Sequence, residues 1–104
     1  MGESQLVYQI MQEVGKYGVV FLCNSGSIRL PNGKRFSAMP KGFTDIMAVL
    51  NGGRVAFIEV KTDRGKPSPE QTQFISKMQG MGAMAGIARS VNDALEICGL
   101  AGEA

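Results

Sequence analysis

The chain has 104 residues, of which 44% are apolar, so it is large enough for one domain with one small core. It contains no histidine. This absence excludes Ser-His-Asp and Cys-His catalysis as well as histidine-based zinc sites. The net charge is only +2. Because it lacks histidine, an enzyme of this composition must work with carboxylates, lysine and a hard metal ion.

Targeting signals are missing from the sequence as given. It has no charged leader followed by an apolar stretch, and no apolar run of about 18 residues. We therefore expect a cytoplasmic protein that neither crosses nor enters a membrane. Cys23 and Cys98 lie far apart in apolar surroundings, which is typical of small buried thiols rather than of a disulfide.

The first half of the chain predicts one helix and four strands. Residues 3–15 have the apolar spacing of a helix that stops at Gly15. The predicted strands are residues 19–23, 28–30, 45–50 and 54–61. The first two are separated by a turn at Asn24-Ser25-Gly26-Ser27, and residues 34–43 are predicted to be irregular. Asn51-Gly52-Gly53 is a strong hairpin signal between the last two.

The second half predicts a helix, a strand and a final helix. Ser68 is a typical N-cap, Pro69 suits the first helical position, and Gln71 completes a capping box. A buried strand follows at residues 83–88 and a helix at residues 91–98. The order α-β-β-β-β-α-β-α predicts a single α/β domain over residues 1–104, with a mixed sheet flanked by helices and a right-handed final crossover.

The strand at residues 54–61 carries two charges in an otherwise apolar run. Because side chains alternate along a strand, Glu59 and Lys61 share a face with Phe57. Charges in a buried strand are costly unless they are paired or bound to a metal. The plainer interpretation is a satisfied Glu59–Lys61 pair on an exposed sheet face.

Asp45 strengthens the metal interpretation. If the hairpin loop has three residues, Leu50 faces Arg54 and Asp45 faces Glu59, with side chains on the same face and about 5 Å apart at Cβ. A two-residue loop would send Asp45 and Glu59 to opposite faces. Two carboxylates this close repel each other unless a cation lies between them. We therefore favour the three-residue loop.

The acidic pair predicts a site for Mg²⁺ or Mn²⁺, cations that prefer oxygen ligands. Asp45 and Glu59 would be ligands, and the peptide carbonyl of Val60 would offer a third oxygen. Lys61 is no ligand while it is charged. It is better suited to orienting or deprotonating a water molecule, or to stabilising the charge that develops on a phosphate. Together these groups suit phosphodiester hydrolysis.

Two further polar residues have both a local and a functional interpretation. Gln71 closes the capping box, yet it also lies in the row of Phe74, which points it toward the sheet. Glu3 stands at the head of the apolar row of the first helix. Its plainer role is that of a first-turn acid favoured by the helix dipole.

Basic residues are concentrated in the middle of the chain. Between Arg29 and Lys66 there are eight basic residues and only three acids. This local excess predicts a polyanionic partner, nucleic acid first, although a solvated loop surface is equally compatible with it. The candidate contacts to a nucleic-acid backbone are Arg29, Lys34, Arg35, Lys41, Arg64 and Lys66.

An ordered set of short motifs resembles the VRR-NUC family, the virus-type replication-repair branch of the PD-(D/E)XK nucleases. The motifs are Glu3 in the opening helix, Asn24-Ser25-Gly26, then G-F-T-D (42–45), I-E-V-K (58–61), S-P-E-Q (68–71) and A-R-S-V-x-D-A (88–94). They cover essentially the whole chain in the family's order. G-F-T-D stands where the family has a Pro-Asp pair, but Asp45 keeps the ligand position.

The resemblance implies a PD-(D/E)XK mixed sheet and a role for each matching residue. Asp45 and Glu59 correspond to the metal ligands, Lys61 to the catalytic lysine, Glu3 to an acid near the metal, and Gln71 to the polar residue of the helix after the E-x-K strand.

Stand-alone members this short resemble homodimeric, phage-type enzymes that cut four-way (Holliday) junctions, in which case the cytoplasm would be that of a bacterial host. A two-fold dimer suits two cuts in a symmetric junction. The Met- and Gly-rich residues 78–84 are a candidate dimer surface, although ordinary core and loop is the plainer interpretation.

Two other function classes remain open on the residues alone. One is a catalytically silent nucleic-acid-binding module of the same fold within a replication or repair complex. The other is a protein-interaction domain whose charges are simply solvated. Metal-dependent cutting of DNA separates the enzyme from both.

Overall fold

A computed structural model describes residues 2–23, 27–37 and 39–100. Its helices are α1 (Glu3–Val14), α2 (Pro69–Gly80) and α3 (Val91–Ile97), and a short 3-10 turn, Gly15–Tyr17, follows α1. The strands are β1 (Gly18–Leu22), β2 (Ser27–Arg29), β3 (Arg35–Ser37), β4 (Ile46–Leu50), β5 (Arg54–Val60) and β6 (Met84–Ala88).

Four of the strands form one mixed sheet in the order β1-β4-β5-β6. The pairs β1–β4 and β4–β5 are antiparallel, whereas β5 and β6 run parallel and are joined through α2. A parallel pair needs such a crossover because its strands start from the same end of the sheet. The predicted α/β fold, a mixed sheet flanked by helices, is confirmed.

The core lies between one face of the sheet and the helices α1 and α3. The face of β5 formed by Ala56, Ile58 and Val60 is fully buried there, against the Leu6, Ile10 and Val14 stripe of α1. That stripe has the i, i+4, i+8 spacing of one helical face. The alternation that places Ala56, Ile58 and Val60 in this core places Phe57 and Glu59 on the opposite face.

The hairpin between β4 and β5 has the predicted register. Leu50 pairs with Arg54 and Ile46 pairs with Ile58, so the next position outward brings Asp45 opposite Glu59. Gly52 and Gly53 make the three-residue connection possible, because both have positive φ angles, 85° and 77°. The three-residue loop on which the acidic pair depends is therefore confirmed.

One region departs from the prediction. Residues 34–43 were expected to be irregular, but Arg35–Ser37 forms β3, which pairs with β2 in a separate two-stranded hairpin. The order therefore has five strands before α2 rather than four. A three-residue strand is too short to show an alternating pattern, and its pairing across the Pro31-Asn32-Gly33 turn is what makes it a strand. The motif Asn24-Ser25-Gly26 lies outside the described residues.

Two smaller expectations concern the cysteines and the membrane. Both thiols are free, with Cys98 buried in the core and Cys23 half-buried. Among the residues that the structure describes, none belongs to a helix of the length and apolar character needed to span a bilayer.

Candidate active site

Asp45 and Glu59 lie next to each other at one edge of the sheet, where β4 begins and β5 ends. The Val60 backbone N–H donates a 2.9 Å hydrogen bond to Asp45 Oδ2, which holds the Asp45 side chain against β5. The Asp45 carbonyl accepts a 2.8 Å hydrogen bond from the N–H of Cys23, just after β1. Asp45 is thus tied to the strands on both sides of it.

Glu59 is a buried carboxylate, with only 2% of its surface exposed. Its Oε2 accepts a 2.9 Å hydrogen bond from Gln71 Nε2 and lies 3.4 Å from Lys61 Nζ. Its Oε1 is buried without a hydrogen-bond partner among the described residues. A buried carboxylate oxygen in that state is costly, and a proton or a cation would satisfy it.

The protonation of Glu59 reflects this environment. Burial, followed by the nearby charge of Asp45, raises the pKa of Glu59 to about 7, although Lys61 opposes the shift. Repulsion between two close carboxylates is one of the conditions that a bound cation removes. The Glu59–Lys61 contact exists, but it is buried rather than on the exposed face that the plainer interpretation requires.

Gln71 closes the capping box and also points toward the sheet. Its side-chain Oε1 accepts a 2.8 Å hydrogen bond from the backbone N–H of Ser68. The backbone N–H of Gln71 donates to Ser68 Oγ at 3.2 Å, which completes the capping box. Its Nε2 then donates to Glu59. Because the amide has an acceptor and a donor end, the same side chain begins α2 and orients the buried carboxylate.

The loop before Asp45 is packed against the start of α2. Gly42 has a φ angle of 86°, and a Cβ at that position would lie 2.4 Å from the carbonyl oxygen of Glu70. Only glycine allows this approach. Next to it, Phe43 packs against Phe57 and Phe74 at ring-centroid distances of 5.7 and 4.7 Å. This aromatic cluster packs the loop that precedes Asp45 against β5 and α2.

A divalent cation fits these residues on three grounds. The Glu59 Oε1 atom has no hydrogen-bond partner in the described part of the chain, the Asp45 carboxylate is its neighbour, and the hard oxygen donors suit Mg²⁺ or Mn²⁺. The N–H and C=O of one strand residue point to the same side of the strand. Because the Val60 N–H points to Asp45, the Val60 carbonyl also points toward this edge of the sheet. Within residues 2–23, 27–37 and 39–100, no three His, Cys, Asp or Glu side chains converge as metal ligands. The remaining positions would belong to water or substrate oxygens, as is usual for Mg²⁺.

Glu3 is not part of the acidic pair. It is exposed on the first turn of α1 and, together with Asp45, lines a cleft of about 410 Å³. A second cleft of about 550 Å³ is also lined by Asp45, together with Phe43, Gln71 and Lys41 among others. Glu3 therefore shares a cleft with the Asp45 end of the acidic pair.

The basic residues proposed to contact nucleic acid lie in three parts of the chain. Lys41 lines the larger cleft and forms a 3.4 Å ion pair with Glu70. Arg29, Lys34 and Arg35 lie in or beside the β2–β3 hairpin and are exposed. Arg64 and Lys66 are also exposed, in the loop directly after Lys61. Arg54, by contrast, lies at the far end of β5 and donates to the Cys98 carbonyl.

Sequence reasoning assigned no role to Arg89, whose guanidinium holds the loop after β5. It was visible only as the second letter of the A-R-S motif. Thr44, fully buried beside Asp45, was also missed; its hydroxyl donates to the Ile46 carbonyl at 3.1 Å. The Arg89 contacts leave no local pattern, because they join residues 24 and 27 positions apart, whereas the Thr44 contact is local and its residue stands in the G-F-T-D motif.

Comparison with solved structures bears on the fold. One of them, described as a VRR_NUC domain, superposes with a TM-score of 0.67 over 93% of this chain and 94% of its own, at 19% sequence identity. The chain has the VRR_NUC fold. Neither a family model nor a curated protein matches the sequence. At 19% identity this similarity establishes the fold of the chain and not its activity. Any conclusion about activity must therefore rest on the residues of the site.

Proposed function

We propose that this protein is a Mg²⁺- or Mn²⁺-dependent DNA endonuclease that hydrolyses phosphodiester bonds. The observation that carries the proposal is the buried Glu59 carboxylate, with one unpartnered oxygen, opposite Asp45 and next to Lys61. A protein without catalytic need of these charges would lose little by replacing them with apolar side chains. The VRR_NUC fold agrees with this reading.

In the proposed mechanism each side chain has a separate task. Asp45, Glu59 and the Val60 carbonyl would hold the cation, and Glu3, which shares a cleft with Asp45, would be a further acidic group beside it. The cation, when bound, lowers the pKa of water and offsets the charge of the phosphate. Gln71 fixes the Glu59 carboxylate through its 2.9 Å hydrogen bond to Oε2, so that Oε1 would be available as a ligand.

Lys61 acts on the reacting phosphate or on the attacking water. Its Nζ is 3.4 Å from Glu59 and its side chain is 18% exposed, so the ammonium reaches the edge of the site without being free in solvent. There it would orient water or stabilise the negative charge of the transition state. Hydrolysis adds the water oxygen to phosphorus, breaks one P–O bond and returns a proton to the departing oxygen.

The exposed basic residues are proposed to bind the DNA backbone on either side of the cut. The β2–β3 hairpin supplies Arg29, Lys34 and Arg35, and the rim of the site supplies Lys41, Arg64 and Lys66. We further propose a homodimer that is selective for four-way junctions or other branched DNA, because two sites related by a two-fold axis can cut two strands.

The test is cleavage of labelled DNA in Mn²⁺, Mg²⁺ or EDTA, over a panel of four-way junctions, flaps and duplexes. We expect cutting that needs the metal and favours branched substrates, and loss of at least 100-fold in rate for Asp45→Ala or Lys61→Ala (on the order of the electrostatic contributions of single groups). Lys77→Ala is the matched control, since Lys77 is an exposed lysine in the last turn of α2. Absence of metal-dependent cutting, or undiminished cutting by either site variant, would contradict the proposal.

Calorimetry separates the enzyme from a silent binding module of the same fold. We expect Mn²⁺ to bind the wild-type protein with measurable heat that Glu59→Gln abolishes. A protein that binds DNA but shows no such heat would favour the module. Light scattering on a size-exclusion column tests the dimer, for which we expect a mass close to twice the 11.1 kDa of one chain.

A further inference from the structure

Arg89 holds the loop that follows Lys61. Its Nη1 donates to the Thr62 carbonyl at 2.7 Å and to the Gly65 carbonyl at 2.8 Å, with the Asp63 carbonyl at 3.4 Å. Three carbonyl oxygens of one short loop thus converge on a single guanidinium nitrogen. Hydrogen bonds with a charged donor are roughly twice as strong as neutral ones, so this contact defines the shape of the loop.

The same loop lies against the side chain of Lys61. The Gly65 N–H donates to the Thr62 carbonyl at 3.0 Å, which closes a tight turn. Gly65 is then so close that a Cβ there would be 3.3 Å from Lys61 Cδ and 3.5 Å from Lys61 Cβ. The turn held by Arg89 therefore packs against the alkyl chain of Lys61, whose Nζ lies 3.4 Å from Glu59 Oε2.

The strand that carries Arg89 also holds the backbone of Lys61. The Lys61 N–H donates to the Ala88 carbonyl at 3.0 Å. Arg89 itself is fixed at the end of β6, because its N–H donates to Asp93 Oδ2 at 2.9 Å in the first turn of α3. Lys61 is thus held through its backbone by Ala88 and through its side chain by the turn that Arg89 supports.

We propose that Arg89 is a positioning residue for Lys61, which keeps its ammonium at the edge of the acidic site. The expected effect on the rate of DNA cleavage rests on the proposed nuclease function. The position of Lys61, however, can be measured without any cleavage. Arg89 touches neither Asp45 nor Glu59 among the contacts described, so its loss is predicted to spare the metal.

The experiment compares Arg89→Ala and Arg89→Lys with the control Arg54→Ala. Arg54 is a matched arginine, because it also donates to a backbone carbonyl, that of Cys98 at 3.1 Å, but at the opposite end of β5. A lysine at position 89 has no planar fork and cannot reproduce the same set of bonds. Gly65→Ala disturbs the same packing by placing a methyl group against the Lys61 side chain, and it leaves Arg89 in place.

Two readouts report the position of Lys61 without activity. The first is the rate of acylation of individual lysines, measured by mass spectrometry, with the exposed Lys77 as internal reference. The second is hydrogen exchange of the amides in residues 61–66. We expect Arg89→Ala to raise both rates several-fold, Gly65→Ala and Arg89→Lys to raise them less, and Arg54→Ala to leave both unchanged.

The third readout is the single-turnover rate of DNA cleavage at saturating protein. For Arg89→Ala we expect a roughly 10- to 100-fold loss, the size expected when a catalytic group is misplaced by about 1 Å. The affinities for Mn²⁺ and for DNA should stay within about twofold of the wild-type values. Unchanged acylation and exchange at Lys61 would overturn the inference, and so would a rate loss that is accompanied by an equal loss of Mn²⁺ affinity.

The two proposals fail in distinguishable ways. If the wild-type protein does not cut DNA while Arg89→Ala still frees Lys61, the nuclease function fails and the positioning role stands. If the wild-type protein cuts and Arg89→Ala cuts equally well with Lys61 still protected, the positioning role fails alone.

Discussion

The buried Glu59 carboxylate makes a testable prediction about stability and pH. Without metal, Glu59 has a pKa of about 7 in the folded protein against 4.5 as its ordinary value. Between these two values the unfolded chain has released the proton while the folded chain keeps it, so stability falls as pH rises from about 4.5 to about 7. The penalty is fully present above pH 7.

The size of this penalty follows from the shift. Each pKa unit corresponds to about 1.4 kcal/mol, so a shift of about 2.5 units corresponds to roughly 3 kcal/mol. This is a large share of the roughly 5–15 kcal/mol that holds a small domain together. Burial is the largest cause of the shift. Asp45 adds to it, mainly because its charge disfavours a second carboxylate nearby and to a smaller extent because a protonated Glu59 can donate a hydrogen bond to it.

Glu59→Gln removes the titration and keeps the shape. Its amide can accept from Gln71 as the carboxylate does, and can donate where the protonated acid would. In EDTA we expect the variant and the wild type to have equal stability near pH 4.5, and the variant to be more stable by roughly 3 kcal/mol at pH 8. For a domain of about 100 residues that difference raises the melting temperature by about 10–20 °C.

Thermal melts followed by circular dichroism at pH 4.5, 6, 7 and 8 measure the difference. Glu70→Gln is a control of opposite sign. Hydrogen bonding by its own backbone N–H, and then Lys41, lowers the pKa of Glu70, so this variant should lose stability relative to wild type as pH rises. Excess Mn²⁺ at pH 8 should stabilise the wild type, by about 2.7 kcal/mol at 100 times its Kd, and should not affect Glu59→Gln. A stability difference independent of pH, or a Glu59→Gln protein less stable than wild type at pH 8, would refute the reasoning.

Three further predictions concern the surroundings of the site. Gln71→Met removes the side-chain half of the capping box and the bond to the buried carboxylate, while Ser68 Oγ still accepts from the backbone N–H of residue 71, so chemical denaturation should show a loss of about 1–2 kcal/mol, and cleavage should slow as well. Gly42→Ala should lower the free energy of unfolding by more than about 2 kcal/mol, because the new Cβ would lie 2.4 Å from a backbone oxygen. Gly33 has a similar φ angle but open space around it, so Gly33→Ala should lower it by only about 1 kcal/mol. Equal losses in the two variants would contradict the packing argument. Charge reversal of Lys34 and Arg35 should lower the slope of log affinity against log salt, measured by fluorescence anisotropy on DNA, by about two; an unchanged slope would remove both from the interface.

Several features of the molecule were determined locally, and the sequence was sufficient for them. The alternation in residues 54–61 placed Glu59 and Lys61 on the face opposite the core, and the two glycines of the hairpin set the register that brings Asp45 opposite Glu59. Ser68 and Gln71 form the cap that their spacing predicts. Each of these follows from backbone geometry over a few residues, which short patterns record directly.

Other features depended on which elements meet in space. Only the packing of α2 on the sheet shows that Gln71 reaches Glu59, that one Glu59 oxygen has no partner, and that burial raises its pKa. The cleft that Glu3 shares with Asp45 likewise depends on where the start of α1 lies relative to the sheet.

The clearest case is Arg89, 24 residues beyond the nearest of the carbonyls that it holds. A guanidinium bound to backbone carbonyls leaves no signature in residue type or spacing, because every residue has a carbonyl. The sequence by itself therefore determined which charged groups come together and on which face of the strand they lie. Only the tertiary structure decided how deeply they are buried and what holds them, since burial and long-range contacts belong to the assembled fold.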